Sequence, residues 1–149
     1  VNRSSIAVLP ASWQHDRERL QSVRRRVFIE EQGVKEEEEW DSVDPVSWHV
    51  LAIHENRDAV GTGRLEPDGK IGRVAVLSHF RGRGVGEAIM HCLVNHATDS
   101  GLEAIYLHAQ TAAAGFYWRL GFRTDGSVFD EVGIPHVRMR MGVGRSDEK

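Results

Sequence analysis

The chain reads as an α/β domain built on a mixed, mostly antiparallel sheet with flanking helices, and three observations predict this. Residues 48–77 hold three apolar-rich runs separated by the turn-like Asn56-Arg57-Asp58 and Pro67-Asp68-Gly69, connections short enough to imply an antiparallel meander. Apolar residues then recur at helical spacing from Val85 to Ala97, and a second strand-like run follows, so a crossover helix returns the chain parallel to its predecessor. A last alternation at Val137, Met139 and Met141 supplies a further strand.

The elements follow in order. Residues 5–10, SIAVLP, are expected to form a short strand stopped by Pro10. Leu20, Val23, Val27 and Phe28 then mark a helix that ends near Gly33, about five turns at 3.6 residues each. Segment 34–47 contains Pro45 and the block Glu36 to Glu39 but no sustained period, so it is read as a loop, long enough to suggest function. Strands are expected over 48–54, 59–65 and 71–77. In the following helix Val85, Ala88, Ile89, Cys92, Leu93 and Ala97 share one face, and Gly101 ends it. A strand over 104–110 precedes a short helix over 112–120 that Gly121 closes. With no repeat, low-complexity segment or linker, residues 1–149 are expected to form a single domain.

Composition excludes several classes. A chain of 149 residues, 40% hydrophobic, can bury one core. No run of 18 apolar residues is present and the opening residues lack a secretory apolar stretch, which leads to the expectation of a soluble, cytoplasmic protein without a membrane partner. The single cysteine, Cys92, cannot form an internal disulfide, and Cys92 with His96 one turn on lacks a third ligand, so no metal is expected. A formal net charge of −3 argues against nucleic-acid binding. Arg24 to Arg26 and the acidic block beside Trp40 and Asp41 are read as solvated surface. The oligomeric state is left open, a homodimer included.

The segment HFRGRGVGEAI, residues 79–89, alternates glycine with other residues just ahead of a helix. Uncovered amides, arginines and a helix start together favour an anion. A Walker loop is excluded because Gly86 is followed by Glu87 and Ala88 in place of lysine and a hydroxyl. A dinucleotide fold is disfavoured because the spacing is G-x-G-x-G and the loop follows a meander. A pyrophosphate suits what remains.

Val74-Ala75-Val76-Leu77 running into Arg81-Gly82-Arg83-Gly84-Val85-Gly86 resembles motif A of the GCN5-related N-acetyltransferases (GNAT), and Phe116-Tyr117-Trp118-Arg119-Leu120-Gly121-Phe122 is similar to their motif B. VFIEEQ at 27–32, AQ at 109–110 and GIPHVRM at 133–139 resemble the ElaA-like branch. The resemblance implies the GNAT fold, its sheet splayed between strands 4 and 5, and direct transfer of an acetyl group from acetyl-CoA to a primary amine of a small molecule or peptide. It implies that amides from Arg81 through Gly86 hold the coenzyme A diphosphate and that main-chain groups of the strand Val74-Ala75-Val76 pair with pantetheine. Gln110 is a further candidate contact, to pantetheine or the acetyl group, and a backbone N–H near Val76 is the candidate oxyanion donor. Tyr117 matches the general acid. The glutamate base that some members carry on strand 4 has no counterpart in Lys70-Ile71-Gly72-Arg73; Glu31 is the leading carboxylate, with His49, His108, His136 or a water relay as alternatives. If the acidic loop borders the acceptor cleft, its field would enrich cationic amines. The alternative reading is a non-catalytic acyl-CoA-binding module.

Overall fold

The computed structural model describes residues 5–144. Its strands are β1 (Ile6–Ala11), β2 (Trp48–His54), β3 (Asp58–Leu65), β4 (Lys70–Val76), β5 (Ala104–Gln110), β6 (Arg123–Thr124), β7 (Phe129–Glu131) and β8 (Ile134–Gly142). The helices are α1 (Trp13–Arg24), α2 (Glu36–Glu39), α3 (Val85–Asp99) and α4 (Ala114–Arg119). The strands form one sheet in the order β1-β2-β3-β4-β5-β8-β6, with β7 also on β8. Every pairing is antiparallel except β4 with β5. The expected α/β class and mixed sheet are therefore present.

The parallel pair decides the shape. Only Lys70 with Tyr106 and Ile71 with Leu107 are in register, after which β4 and β5 diverge. The predicted splay between strands 4 and 5 is this divergence, and it leaves the β5-facing edge of β4 unpaired from Gly72 onward. On the other edge, β3 advances two residues from Thr62 to Arg64 while β4 advances three from Ala75 back to Gly72, which is a β-bulge. Arg73 sits in it at φ 52°, a left-handed conformation that a non-glycine residue rarely adopts.

The core lies under α3. Val85, Ile89, Met90, Leu93 and Ala97 are its buried residues; Ala88, expected on that face, is exposed, and Met90 takes the inward position instead. The helix rests directly on β3. A Cβ at Gly63 would stand 2.7 Å from Ile89 Cγ2 and 2.9 Å from Leu93 Cδ1, so only glycine permits this approach.

Several expectations need correction. Pro10 does not stop β1: it stands opposite Val50 within the strand, tolerated because β1 is a sheet edge and needs no donor there. The first helix changes character at Arg25, and Arg25–Glu31 forms a π-helical segment before Gly33 closes it at φ 78°. Segment 34–47 is not a plain loop. It contains α2 and a 3₁₀ turn, Asp44–Val46. The short β6 and β7 are additions to the elements that the sequence predicts.

Candidate active site

The glycine loop folds as a 3₁₀ turn, Ser78–Phe80, followed by Gly82 at φ 77° and Gly84 at φ 82°, the latter immediately before α3. Among the described residues nothing lies within 4 Å of a Cβ built on either glycine, so conformation rather than crowding demands them. The first closed helical bond runs from the Ala88 N–H to the Gly84 carbonyl at 3.0 Å. Among the described residues, no hydrogen bond occupies the amides of Gly82 through Glu87. A row of free donors thus meets the positive end of a 15-residue helix.

These amides open onto a cleft of about 610 Å³ that occupies the gap between β4 and β5. Among the expected cofactor residues, Val74, Ala75, Val76 and Gln110 line it on the strands, and Arg81, Gly82, Gly84, Val85 and Gly86 line it at the loop. Arg83 and Glu31 do not. The Arg83 guanidinium instead stands 5.3 Å from the Phe80 ring. The π-helical segment contributes Val27 and Phe28 to the wall; such segments are frequent at functional sites because the extra residue per turn re-aims side chains.

Tyr117 lies in the cleft on α4. Its ring meets Phe116 edge-on at 5.0 Å and Phe122 at 6.1 Å. Its hydroxyl has no hydrogen-bond partner among the described residues, and burial pushes its pKa up to about 12. Gly121, at φ 109°, closes α4, and the Phe122 N–H returns to the Tyr117 carbonyl at 3.1 Å. The Gln110 amide donates to Gln32 Oε1 at 2.8 Å, tying β5 to the end of the π-helical segment across the cleft.

Glu31 is occupied. Both of its oxygens accept from Arg81, each at 2.7 Å, and Arg81 Nε also donates to the Val76 carbonyl at 2.8 Å. The Arg81 hydrogen bonds hold the Glu31 carboxyl below its ordinary range, which makes it a weak proton acceptor. The pair clasps the glycine loop to the end of the first helix instead.

The charged segments read as solvated surface are partly interior. Arg24 is 1% exposed, Glu39 3% and Asp44 0%. Arg24 donates to Glu39 Oε2 at 2.8 Å and to both oxygens of Asp44 at 2.9 and 3.1 Å. Arg64 joins Asp44, Asp41 and Glu66. Arg73, on the bulge, donates to the Glu39 carbonyl at 2.9 Å and places Nε 2.9 Å from Glu39 Oε2 without the alignment of a hydrogen bond. Desolvation pushes the Glu39 carboxyl up despite Arg73 and Arg24. Asp44 is also desolvated, yet the bonds from Arg24 and Arg64 hold it down. Glu39, Arg64 and Arg73 form part of the cleft wall, so one end of the acidic loop does border it, neutralised by arginine rather than presenting a free negative field.

The histidines separate. His49 is 1% exposed, stacks on Trp13 at 5.3 Å and hydrogen-bonds the Asp44 carbonyl through Nε2 at 2.8 Å. Burial lowers its pKa, and it does not reach the cleft. His108 and His136 do, together with Glu131 and Val132 of the β7–β8 hairpin. Glu131 and Val132 carry no signal of their own in the sequence, although the adjoining GIPH run points to the neighbourhood.

A family model for the acetyltransferase (GNAT) domain matches residues 17–143. The chain belongs to the GNAT acetyltransferase family. Protein YyaT of Bacillus subtilis is 42% identical to this GNAT domain over 130 residues, covering 83% of this chain and 87% of YyaT. ElaA of Escherichia coli is 32% identical over 129 residues, 80% of this chain and 83% of ElaA, and its crystal structure superposes with a TM-score of 0.81 over 91% of this chain and 99% of that one. An acyl-CoA N-acyltransferase from Pseudomonas aeruginosa superposes with a TM-score of 0.80 at 28% identity, over 92% and 99% of the two chains. The GNAT fold and the ElaA-like branch follow.

Proposed function

We propose that this GNAT domain transfers an acetyl group from acetyl-CoA directly to a primary amine. The observation that carries the reading is the row of unpaired amides at residues 82–87, opening onto the same cleft as the free edge of β4 and the Tyr117 ring. Each donor or dipole contact to an anion is worth about 0.3–1 kcal/mol, so several must converge for useful affinity, and this loop offers several. The edge of β4 that β5 leaves unpaired has main-chain groups at strand spacing, the Val76 carbonyl among them held by Arg81 Nε, and the rest suit the amide groups of pantetheine as an added strand. The Arg81–Glu31 clasp holds the loop in place beside it.

The chemistry needs a neutral amine, a donor for the developing oxyanion and a proton for the thiolate. A backbone N–H of β4 near Val76 is the oxyanion donor in this reading. Tyr117 serves as the acid: its raised pKa keeps the phenol protonated at neutral pH, ready to give its proton to sulfur as the C–S bond breaks.

Thiol release from acetyl-CoA in the presence of primary amines, measured for wild type and Tyr117→Phe, tests this. The variant should lose about 10²-fold or more in turnover while its acetyl-CoA affinity is unchanged. Equal turnover in the two proteins would remove Tyr117 from the chemistry. Acetyl-CoA binding without thiol release by wild type would instead mark a binding module.

A further inference from the structure

Resting on that reading, we propose that His108, held in one tautomer by Glu131, is the base that takes the proton from the acceptor amine. His108 stands one residue beyond Leu107, the last β5 residue in register with β4, and so lies where the two strands part. Along β5 the side chains alternate: Ile105, Leu107 and Ala109 are buried, while Tyr106, His108 and Gln110 are half-buried. His108 and Gln110 are both in the cleft wall. Tyr117, the acid, reaches the same cleft from the helix that follows the strand.

Only one tautomer of His108 fits its partner. Nδ1 is 2.9 Å from Glu131 Oε1, and a carboxylate only accepts, so Nδ1 carries a hydrogen whether the ring is neutral or charged. Nε2 has no hydrogen-bond partner among the described residues and is left as the nitrogen that gains and loses a proton. A carboxylate that orients an imidazole while its other nitrogen works is a recurrent arrangement in acid–base catalysis. His136 is set deeper than the half-buried His108, at 5% exposed. Its Nδ1 donates to the Ile134 carbonyl at 2.7 Å and its Nε2 stands 4.0 Å from Glu131 Oε2, on the far side of the same carboxylate.

The hairpin that holds Glu131 is strained. Val132 adopts φ 47° and Gly133 φ 79° between β7 and β8, the conformation of a two-residue turn that favours Asn, Asp or Gly. A β-branched residue at positive φ is an outlier that the surrounding structure must maintain, and such strain gathers at working sites. Here the strained valine forms part of the cleft wall beside Glu131.

The proton balance closes. The acceptor ammonium gives one proton to His108 Nε2, and the neutral nitrogen attacks the thioester carbonyl. The C–N bond forms, the C–S bond breaks, and the thiolate takes the Tyr117 proton. The second proton shed by nitrogen restores Tyr117, and His108 passes its own to solvent. The charged and titratable groups around His108 are Tyr106 on β5, Glu131 on β7, His136 and Arg138 on β8, and Lys70 and Arg73 across the cleft.

Two measurements test this. In nitrogen-edited NMR of the free protein, the neutral His108 ring should carry its hydrogen on Nδ1, and Glu131→Gln should weaken that preference; a neutral ring with hydrogen on Nε2 would overturn the proposal. In thiol release with butylamine, cadaverine and glycinamide as probes, His108→Asn should lower kcat/KM about 10²-fold or more and abolish the acid limb of the pH profile. Glu131→Gln should cost less, and Glu131→Ala, which leaves Nδ1 without a partner, more than Glu131→Gln. Acetyl-CoA affinity, read by calorimetry, should stay within about twofold in each variant, as expected for residues acting on the acceptor side. Full activity and an unchanged profile in His108→Asn would refute the assignment and leave the acetyltransferase reading standing. If wild type neither bound acetyl-CoA nor released thiol, both would fall.

Discussion

At Glu31 the geometry separates holding a loop from moving a proton. Its two bonds from Arg81 form on an exposed surface, where ion pairs contribute little stability, so Glu31→Gln should leave the melting temperature nearly unchanged. It should also cost far less in kcat than the ~10²-fold loss expected on removing a base, which stopped-assay kinetics on the variant will show. Val132 makes an opposite prediction. Replacing it with Asn relieves a left-handed β-branched residue, worth about 1 kcal/mol or more, so thermal denaturation should reveal a more stable protein with a higher KM for the acceptor. A lower melting temperature would mean that the valine side chain contributes more by packing than its backbone costs.

At the level of elements, α3 is where sequence and structure agree most fully, because its signals are local. Gly82 and Gly84 announce their own backbone angles, and the apolar period from Val85 to Ala97 announces the helix. The π-helical segment was not legible, since one extra residue per turn leaves Val23 and Val27 as apolar as a regular helix would. Pro10 misled because a strand edge cannot be recognised before the sheet order is known. The ion network was hidden for a related reason: Glu39 and its exposed neighbours are the same residue type, and only the distant Arg24 and Arg73 decide which of them is buried. Tyr117 was legible through its motif, whereas Glu131 acquires its meaning only when β7 lies against β8 and faces His108. The contact of α3 with β3 supports a further prediction. Gly63→Val would drive a side chain into Ile89 and Leu93, which should cost about 1–3 kcal/mol by overpacking, measurable by denaturant titration.

For the whole molecule, buried charge sets the acid limit. His49 is buried with its pKa below 6.5 and must gain a proton when the chain unfolds. Its contribution is therefore present above 6.5 and declines as pH falls toward its folded value. Asp41 and Asp44 are held below 3.8 against desolvation by their arginine partners, so what they contribute is present above 3.8 and is lost on further acidification. Glu39, pushed up by burial, works in the opposite sense: its contribution is full below 4.5 and diminishes as pH rises through its folded value. Thermal melts across pH should show a first decline below 6.5 that His49→Gln reduces and a second below 3.8. Asp44→Asn should cost about 3–5 kcal/mol at neutral pH, since it leaves Arg24 and Arg64 buried beside a neutral partner. The network braces Arg73, and through it the bulge of β4, against the cleft on which the functional account depends. That account is tested most directly by titrating coenzyme A into nitrogen-labelled protein and following each backbone amide by NMR. The largest shifts should fall on residues 82–87 and on β4 from Gly72 to Val76; saturating coenzyme A that left these amides unmoved would contradict it.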